Sequence, residues 1–370
     1  MSNSDQRVAR LRGARPAEEP GARGIERVAR NPDCLRLRAV TIAGVTPATA
    51  AKILGFPDRE GQSPFALTLG QRFERQLLEN GAANLFTLYR ERGLLGPSEA
   101  KIVAVDGLAP GTDLRARRRR ETETRRLLEG KFRGDPLAPN LIIKPRLLVS
   151  LVGLPHPIEP DFLVAADQEP FYRVGELKSY PDRGGKTDAA DIRSACRQAA
   201  VGVVGLRETL QSFGARQPEQ LAVADADLVM RVTGFFIPTL SRMAIASEVD
   251  SVERAIAEAP TNLDDLETML PAGATLDDPA VLASVPNNYR PSCKEHCGLW
   301  EHCRRQALAG RHPVVLGDLA AEQLAAAGSI DRALELMAGS GLPPLNAAEA
   351  TLAAELRTAD QALRRAVGHV

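Results

Sequence analysis

Apolar positions recur at helical spacing across residues 44 to 95. Thr46-Pro47 reads as a helix start with proline at the first helical position. Phe73, Leu77 and Leu78 mark the buried side of a second helix over residues 68 to 81. Residues 113 to 128 form a very polar helix. From residue 141 the period shortens to that of strands, with mostly apolar runs at 141–152, 158–165 and 171–180. Asp167-Gln168-Glu169-Pro170 punctuates the last two as a turn. A long helix follows over 187–213, its apolar stripe carried by Ile192, Cys196, Ala199, Val203, Leu206, Leu210 and Phe213. A strand at 228–237 and a helix at 251–258 come next, then a loop-like acidic stretch at 261–290. The first thirty residues, rich in Arg, Ala, Gly and Pro, show neither period and are expected to be disordered. Ala- and Leu-rich residues 313–370 suggest short helices broken by glycine and proline. The pattern predicts an α/β fold: a central mixed sheet flanked by helices, with a main domain over 31–312 and a C-terminal helical accessory segment over 313–370.

Charge adds a local feature rather than a global one. The 370 residues carry 47 basic and 47 acidic side chains, so nucleic-acid binding cannot be read from net charge. Seven arginines nevertheless fall between Arg115 and Arg126, and Arg115, Arg117, Arg118, Arg119 and Arg120 are the densest run. That stripe is either a solvated helix face with Glu121 and Glu123 as partners, or a phosphate-contacting surface. The polar N-terminus lacks the apolar core of a signal peptide, and no run approaches the roughly 20 apolar residues of a membrane span. A cytoplasmic protein with no membrane partner is expected, and five cysteines in such a chain do not suggest a disulfide framework.

The sharpest chemistry lies in the strands. Pro160-Asp161 belongs to one and Glu176-Leu177-Lys178 to the next. Residues two apart in a strand share a face, so Glu176 and Lys178 project together and Leu177 points away. A hairpin turning between residues 168 and 169 sets Asp161 opposite Glu176, with Cβ atoms about 5 Å apart. Carboxylates at that distance repel unless a cation lies between them, and Mg²⁺ or Mn²⁺ suits such oxygen ligands. A chance salt-bridged hairpin is the competing reading. Gly184-Gly185-Lys186-Thr187 is a decoy for a phosphate-binding loop: the glycine that motif needs at 180 is Tyr180, and Thr187 reads more simply as a helix N-cap.

Pro160-Asp161 followed by Glu176-Leu177-Lys178 resembles the signature of the RecB-like PD-(D/E)XK nucleases. The resemblance runs over about residues 34 to 305. It implies a restriction-endonuclease-like core, metal ligation by Glu74, Asp161, Glu176 and the Leu177 backbone carbonyl, and a catalytic set completed by Lys178 and Gln198. Glu74 matches the acidic residue of the first helical motif in Gly70-Gln71-Arg72-Phe73-Glu74. Gln198 matches the glutamine motif on the following helix, although Gly202 stands where the family often has tyrosine. The implied function is DNA phosphodiester hydrolysis, favouring single strands or ends, with a helicase as a possible partner. The alternative is a nuclease-fold nucleic-acid-binding subunit without activity.

Cys293, Cys297 and Cys303 fall within eleven residues, and Cys34 lies far upstream. By count alone four thiolates suit zinc or an iron–sulfur cluster equally, and His296 or His302 could replace one in a zinc site. One cysteine before the nuclease motifs and three after resembles the iron–sulfur members of the family, among them the AddB nuclease domain and the CRISPR-associated RecB-like exonucleases. That likeness implies a [4Fe–4S] cluster. The three-residue gap between Cys293 and Cys297 departs from the family's usual two and keeps zinc in play. Cys196, on the apolar stripe, reads as a small core residue.

Overall fold

A computed structural model of the chain describes residues 3–57, 64–96, 101–166, 169–184, 187–257 and 263–367. It divides into two compact units. One comprises Met1–Pro32, Leu37–Thr46 and Gly61–Asp277, and the other comprises Asp33–Arg36, Pro47–Glu60 and Asp278–Val370.

The first unit holds a six-stranded mixed sheet. Its strands are β1 (Ile102–Ala104), β2 (Leu141–Ile143), β5 (Phe162–Val164), β6 (Arg173–Asp182), β7 (Asp225–Val232) and β8 (Pro238–Ala244), in the order β1-β2-β5-β6-β7-β8. A separate hairpin pairs β3 (Leu147–Leu151) with β4 (Leu154–Ile158). β5 runs antiparallel to both of its neighbours, β2 and β6, whereas β6 and β7 are parallel. The parallel pair follows from the helix between those strands, α5 (Ala189–Ser212), which returns the chain to the same edge. The helices before it are α1 (Asn3–Arg12), α2 (Gly21–Arg30), α3 (Pro64–Glu91) and α4 (Leu114–Phe132).

Period-2 alternation sorts the strand side chains between two cores. Ile142, Leu163, Val174 and Leu228 pack with Ala195, Ala199, Val203 and Leu206 of α5. Leu141, Ile143, Phe162, Val164, Leu177 and Val229 pack with Phe73, Leu77, Leu85 and Tyr89 of α3. Both faces of the central strands are therefore covered, which is why they read as continuous apolar runs.

Several sequence expectations are corrected. The run at 141–152 is two strands in different sheets. Pro145 interrupts it, Lys144 adopts φ 49°, and the chain turns out of one sheet into the other. The run at 158–165 likewise divides between β4 and β5. The stretch after 228 turns at Thr233-Gly234 and returns as β8, where no strand was expected. α3 is broken over Glu79–Ala82, where Asn80 and Gly81 take positive φ, so its first half ends where expected. Thr187 does not cap α5: Asp188 does, accepting from the Ala190 N–H at 2.7 Å.

The first thirty residues are not unstructured. Ile25 and Val28 of α2 join the core, and Arg7 of α1 pairs with Asp264 at 2.5 Å and Glu267 at 2.7 Å. In α2 Ile25 and Val28 stand three apart on one face, a stripe too short to be read apart from its tertiary contacts, and α1 buries only Leu11. The unit boundary also lies at Asp277/Asp278 rather than after 312. The second unit contains the helix Pro47–Ile53 predicted from Thr46-Pro47, and near its end Ala327, Ala333, Leu336, Leu352 and Ala353 form a small core of their own. No helix among the described residues is long and apolar enough to cross a membrane.

Candidate active site

Phe162 pairs with Gly175, Leu163 with Val174 and Val164 with Arg173. Continuing that register by one step sets Asp161 against Glu176, as the hairpin arithmetic requires. Of the turn itself, Asp167 and Gln168 lie outside the described residues. Asp161 stands just before β5, and its Oδ2 accepts from the Leu177 N–H at 2.8 Å. Glu176 and Lys178 lie on the α5 face of β6, and Leu177 on the α3 face. Lys178 Nζ donates to Glu176 Oε2 at 2.7 Å and to Gln198 Oε1 of α5 at 2.9 Å. The Gln198 amide continues to Ser194 Oγ at 3.4 Å.

Glu74 reaches the same centre through a residue that sequence reasoning missed. Lys144 Nζ lies 2.7 Å from Glu74 Oε1 and 2.7 Å from Asp161 Oδ1. The five predicted residues thus fall into two bonded groups, Glu74–Lys144–Asp161 and Glu176–Lys178–Gln198, set side by side where Asp161 accepts from the Leu177 backbone between Glu176 and Lys178. A lysine beside a proline within an apolar run offers no signal of this role.

The electrostatics reflect burial among four charges. Burial pushes the Glu176 carboxyl up to about 7; Lys178 opposes the rise and Asp161 adds to it. Burial acts the same way on Asp161, but Lys144 and Lys178 outweigh it and hold that carboxyl below its ordinary value. Burial disfavours both ammonium groups, yet the carboxylates outweigh it and raise Lys144 and Lys178 above the usual lysine range. Among the described residues no group of three or more His, Cys, Asp or Glu side chains is gathered closely enough to hold a metal ion as it stands. At the hairpin lysine ammonium groups occupy one oxygen of each carboxylate, Lys144 on Glu74 and Asp161 and Lys178 on Glu176. The donor set, three carboxylates of which two are largely buried, is the oxygen-only chemistry a hard divalent ion takes.

Gly202 sits where α5 packs closest to the strands. A Cβ there would lie 2.9 Å from Val174 Cγ1 and 3.2 Å from Pro160 Cγ, so α5 packs directly on the strand pair and leaves no room for a tyrosine.

The arginine stripe divides. Arg117 pairs with Glu19 at 3.2 Å and Arg120 with Glu159 at 3.8 Å; Arg146, itself buried, bridges both acids at 2.6 Å. Those two arginines serve the fold. Arg115, Arg118 and Arg119 are exposed, have no ion pair among the described residues, and line a groove of about 690 Å³ with Leu108, Ala109, Leu114, Thr122 and Glu123.

In the second unit Cys34, Cys293, Cys297 and Cys303 are all buried. Cys297 feels the charge of Cys303, Cys293 and Cys34, which puts the four in one neighbourhood without closing them to ligand distance. Three of the sulfurs accept hydrogen bonds: Cys303 from the Arg36 guanidinium at 3.2 Å, Cys293 from the Arg290 N–H at 3.4 Å, and Cys297 from the backbone at Leu299. Arg36 is fixed in turn by the carbonyls of Ala283 and Val285. His302 stacks edge-on against Phe56 at 5.3 Å, and burial with Arg36 and Arg305 pulls its pKa down to about 4. Cys196 is buried on α5 in the first unit, as expected of a core residue.

No family model matches the chain, and no curated protein matches it. A solved structure described as "Crystal structure of SSO0001" is 15% identical, covering 57% of this chain and 98% of that one, with a TM-score of 0.18. A likeness at that score carries no argument.

Proposed function

We propose that the chain is a metal-dependent nuclease of the PD-(D/E)XK type that hydrolyses DNA phosphodiester bonds. The observation that carries this reading is the convergence of Asp161, Glu176 and Lys178 across one strand pair, with Glu74 and Gln198 supplied by the helices on the two sides of the sheet. The sheet supports it: β2, β5 and β6 alternate in direction, and α5 then leads to β7, parallel to β6, with α3 on the opposite face.

Glu74, Asp161, Glu176 and the Leu177 carbonyl would hold Mg²⁺ or Mn²⁺. When bound, the ion supplies a water of lowered pKa and neutralises charge on the phosphate. Lys178 stays protonated between Glu176 and Gln198, so it serves as a hydrogen-bond donor that orients the attacking water or the phosphate oxygen. Gln198 fixes that ammonium from the helix side, and Asp161 is held against the strand by the Leu177 N–H. Arg115, Arg118 and Arg119 offer a surface for the nucleic-acid backbone.

In the second unit Cys34, Cys293, Cys297 and Cys303 would hold a [4Fe–4S] cluster, with zinc as the alternative. Sulfurs that accept from a guanidinium and from backbone amides are the environment in which ligating thiolates are stabilised. The cluster's part is structural, because it closes a chain segment of more than 250 residues.

The test is cleavage of labelled single- and double-stranded DNA with Mn²⁺ and with chelator. Wild-type protein should cut only with metal, and Glu176→Ala should lose activity about 100-fold or more while keeping its fold. A fully active Glu176→Ala protein sinks the assignment. DNA binding without cleavage by the wild type would establish the non-catalytic subunit instead.

A further inference from the structure

Lys144 belongs to no motif, yet its ammonium lies at hydrogen-bond distance from both Glu74 and Asp161. The backbone is arranged to put it there. Lys144 takes φ 49°, a left-handed conformation that a residue with a Cβ adopts only where its surroundings impose it. Its N–H donates to the Asp161 carbonyl at 3.0 Å, and Pro145 follows at once. The same two residues are therefore joined twice, by backbone and by side chain.

We propose that Lys144 is a resident counter-ion of the catalytic centre, which holds Glu74 and Asp161 together without metal and must leave them when a divalent ion binds. The inference rests on the metal-dependent reading above and adds to it a residue that sets the metal requirement.

Charge makes the exchange necessary. A divalent ion takes all three carboxylates in their ionised form, and with them ionised and two lysines protonated the centre without the ion carries one net negative charge. A divalent ion added with Lys144 still in place would turn it positive and set two cations on the same oxygens, at a separation where repulsion is severe in a part-buried site. Release of Lys144 brings the centre to neutrality. The lysine stem has four rotatable carbons and the side chain is already part-exposed, so the ammonium can swing into water without backbone movement. Lys144 Nζ occupies the oxygens of Glu74 and Asp161 that a divalent ion would take, so the two cations compete for the same place. The device keeps the carboxylates from repelling one another in the metal-free protein.

The full-length protein is titrated with Mn²⁺ by calorimetry without nucleic acid, as wild type, Lys144→Met and Lys144→Arg. Lys144→Met should bind Mn²⁺ about tenfold or more tightly, because nothing competes, and should melt at a lower temperature when metal-free. Lys144→Arg, which keeps the cation, should bind Mn²⁺ close to wild type. In wild-type protein the reaction of Lys144 with a succinimidyl ester, read by mass spectrometry, should rise as Mn²⁺ saturates. A merely structural lysine would give weaker or unchanged affinity in Lys144→Met, and that result overturns the proposal. So does a Lys144 that stays protected at saturating Mn²⁺. If neither wild type nor Lys144→Met binds Mn²⁺, the metal-dependent reading itself falls and this inference with it.

Discussion

Gly175 is the residue on which the geometry of the carboxylate pair depends most directly. It lies opposite Phe162 in the β5–β6 ladder, one position before Glu176, while Phe162 is one position after Asp161. A Cβ built on Gly175 would fall inside the Phe162 ring. The ring covers the bare backbone of the facing strand, is fully buried, and meets Tyr89 edge-on at 6.1 Å. Gly175→Ala must expel it. Losing the packing of a buried phenylalanine costs about 3–5 kcal/mol. Replacing glycine within a strand returns roughly 0.5–1 kcal/mol. The net loss expected is about 2–4 kcal/mol, a large share of a domain's stability.

Urea denaturation followed by circular dichroism measures that loss as a fall in midpoint at unchanged slope. The mechanism also makes a coupling prediction. In a Phe162→Leu background the ring is gone, and adding Gly175→Ala should cost less than about 1 kcal/mol. Because Asp161 and Glu176 flank the pair, metal-dependent cleavage should fall in Gly175→Ala even where the protein remains folded. A Gly175→Ala protein within about 0.5 kcal/mol of wild type, or one whose loss is the same in both backgrounds, would refute the account.

The other outcomes expected concern the rest of the chain. His156 is buried, and burial pulls its pKa down to about 4 from an ordinary 6.5, so the fold holds it neutral. Its contribution is complete above about pH 6.5 and is lost as pH falls toward 4, about 3 kcal/mol in all, and His156→Gln should flatten the acid limb of the stability–pH curve by that order. Reversing Arg115, Arg118 and Arg119 to Glu should reduce the salt slope of DNA binding by roughly 0.7–0.9 for each phosphate no longer neutralised, measured by titration at several salt concentrations; reversing Arg117 and Arg120 should instead lower the melting temperature. Protein purified without oxygen should be brown, Cys34→Ala should bleach it and lower its melting temperature, and Cys196→Ala should leave the colour unchanged; colourless protein with one zinc would replace the cluster while sparing the hairpin. Truncation after 312 should leave metal-dependent cleavage intact in an assay against full-length protein, since every candidate residue precedes it.

The site was legible to an unequal degree. Asp161, Glu176 and Lys178 could be placed because strand periodicity is strict: two residues apart means one face, and a turn position sets the register. Glu74 and Gln198 depended on a resemblance of order and spacing, and in the structure both reach the centre through lysine side chains. Lys144 was invisible, because its place depends on a turn between two sheets and on a left-handed backbone that its neighbours impose. The arginine stripe was visible as composition, but its division into fold-serving and exposed members required the partners Glu19 and Glu159, which lie far away in sequence.

What the sequence determined by itself was the local chemistry: the α/β alternation, the facing of Glu176 with Lys178 on one strand, the end of the first half of α3 near Gly81, and the exclusion of Cys196 from the cysteine set. Each follows from interactions within a few residues, which periodicity and backbone preference report directly. The tertiary structure alone decided that the N-terminal arginine-rich residues form helices, with Gly24–Val28 buried, that one apolar run serves two sheets, that Gly202 excludes a side chain, and that a lysine stands between Glu74 and Asp161. These rest on burial and charge pairing between segments distant in the chain, and such interactions come into being only when the chain has closed on itself.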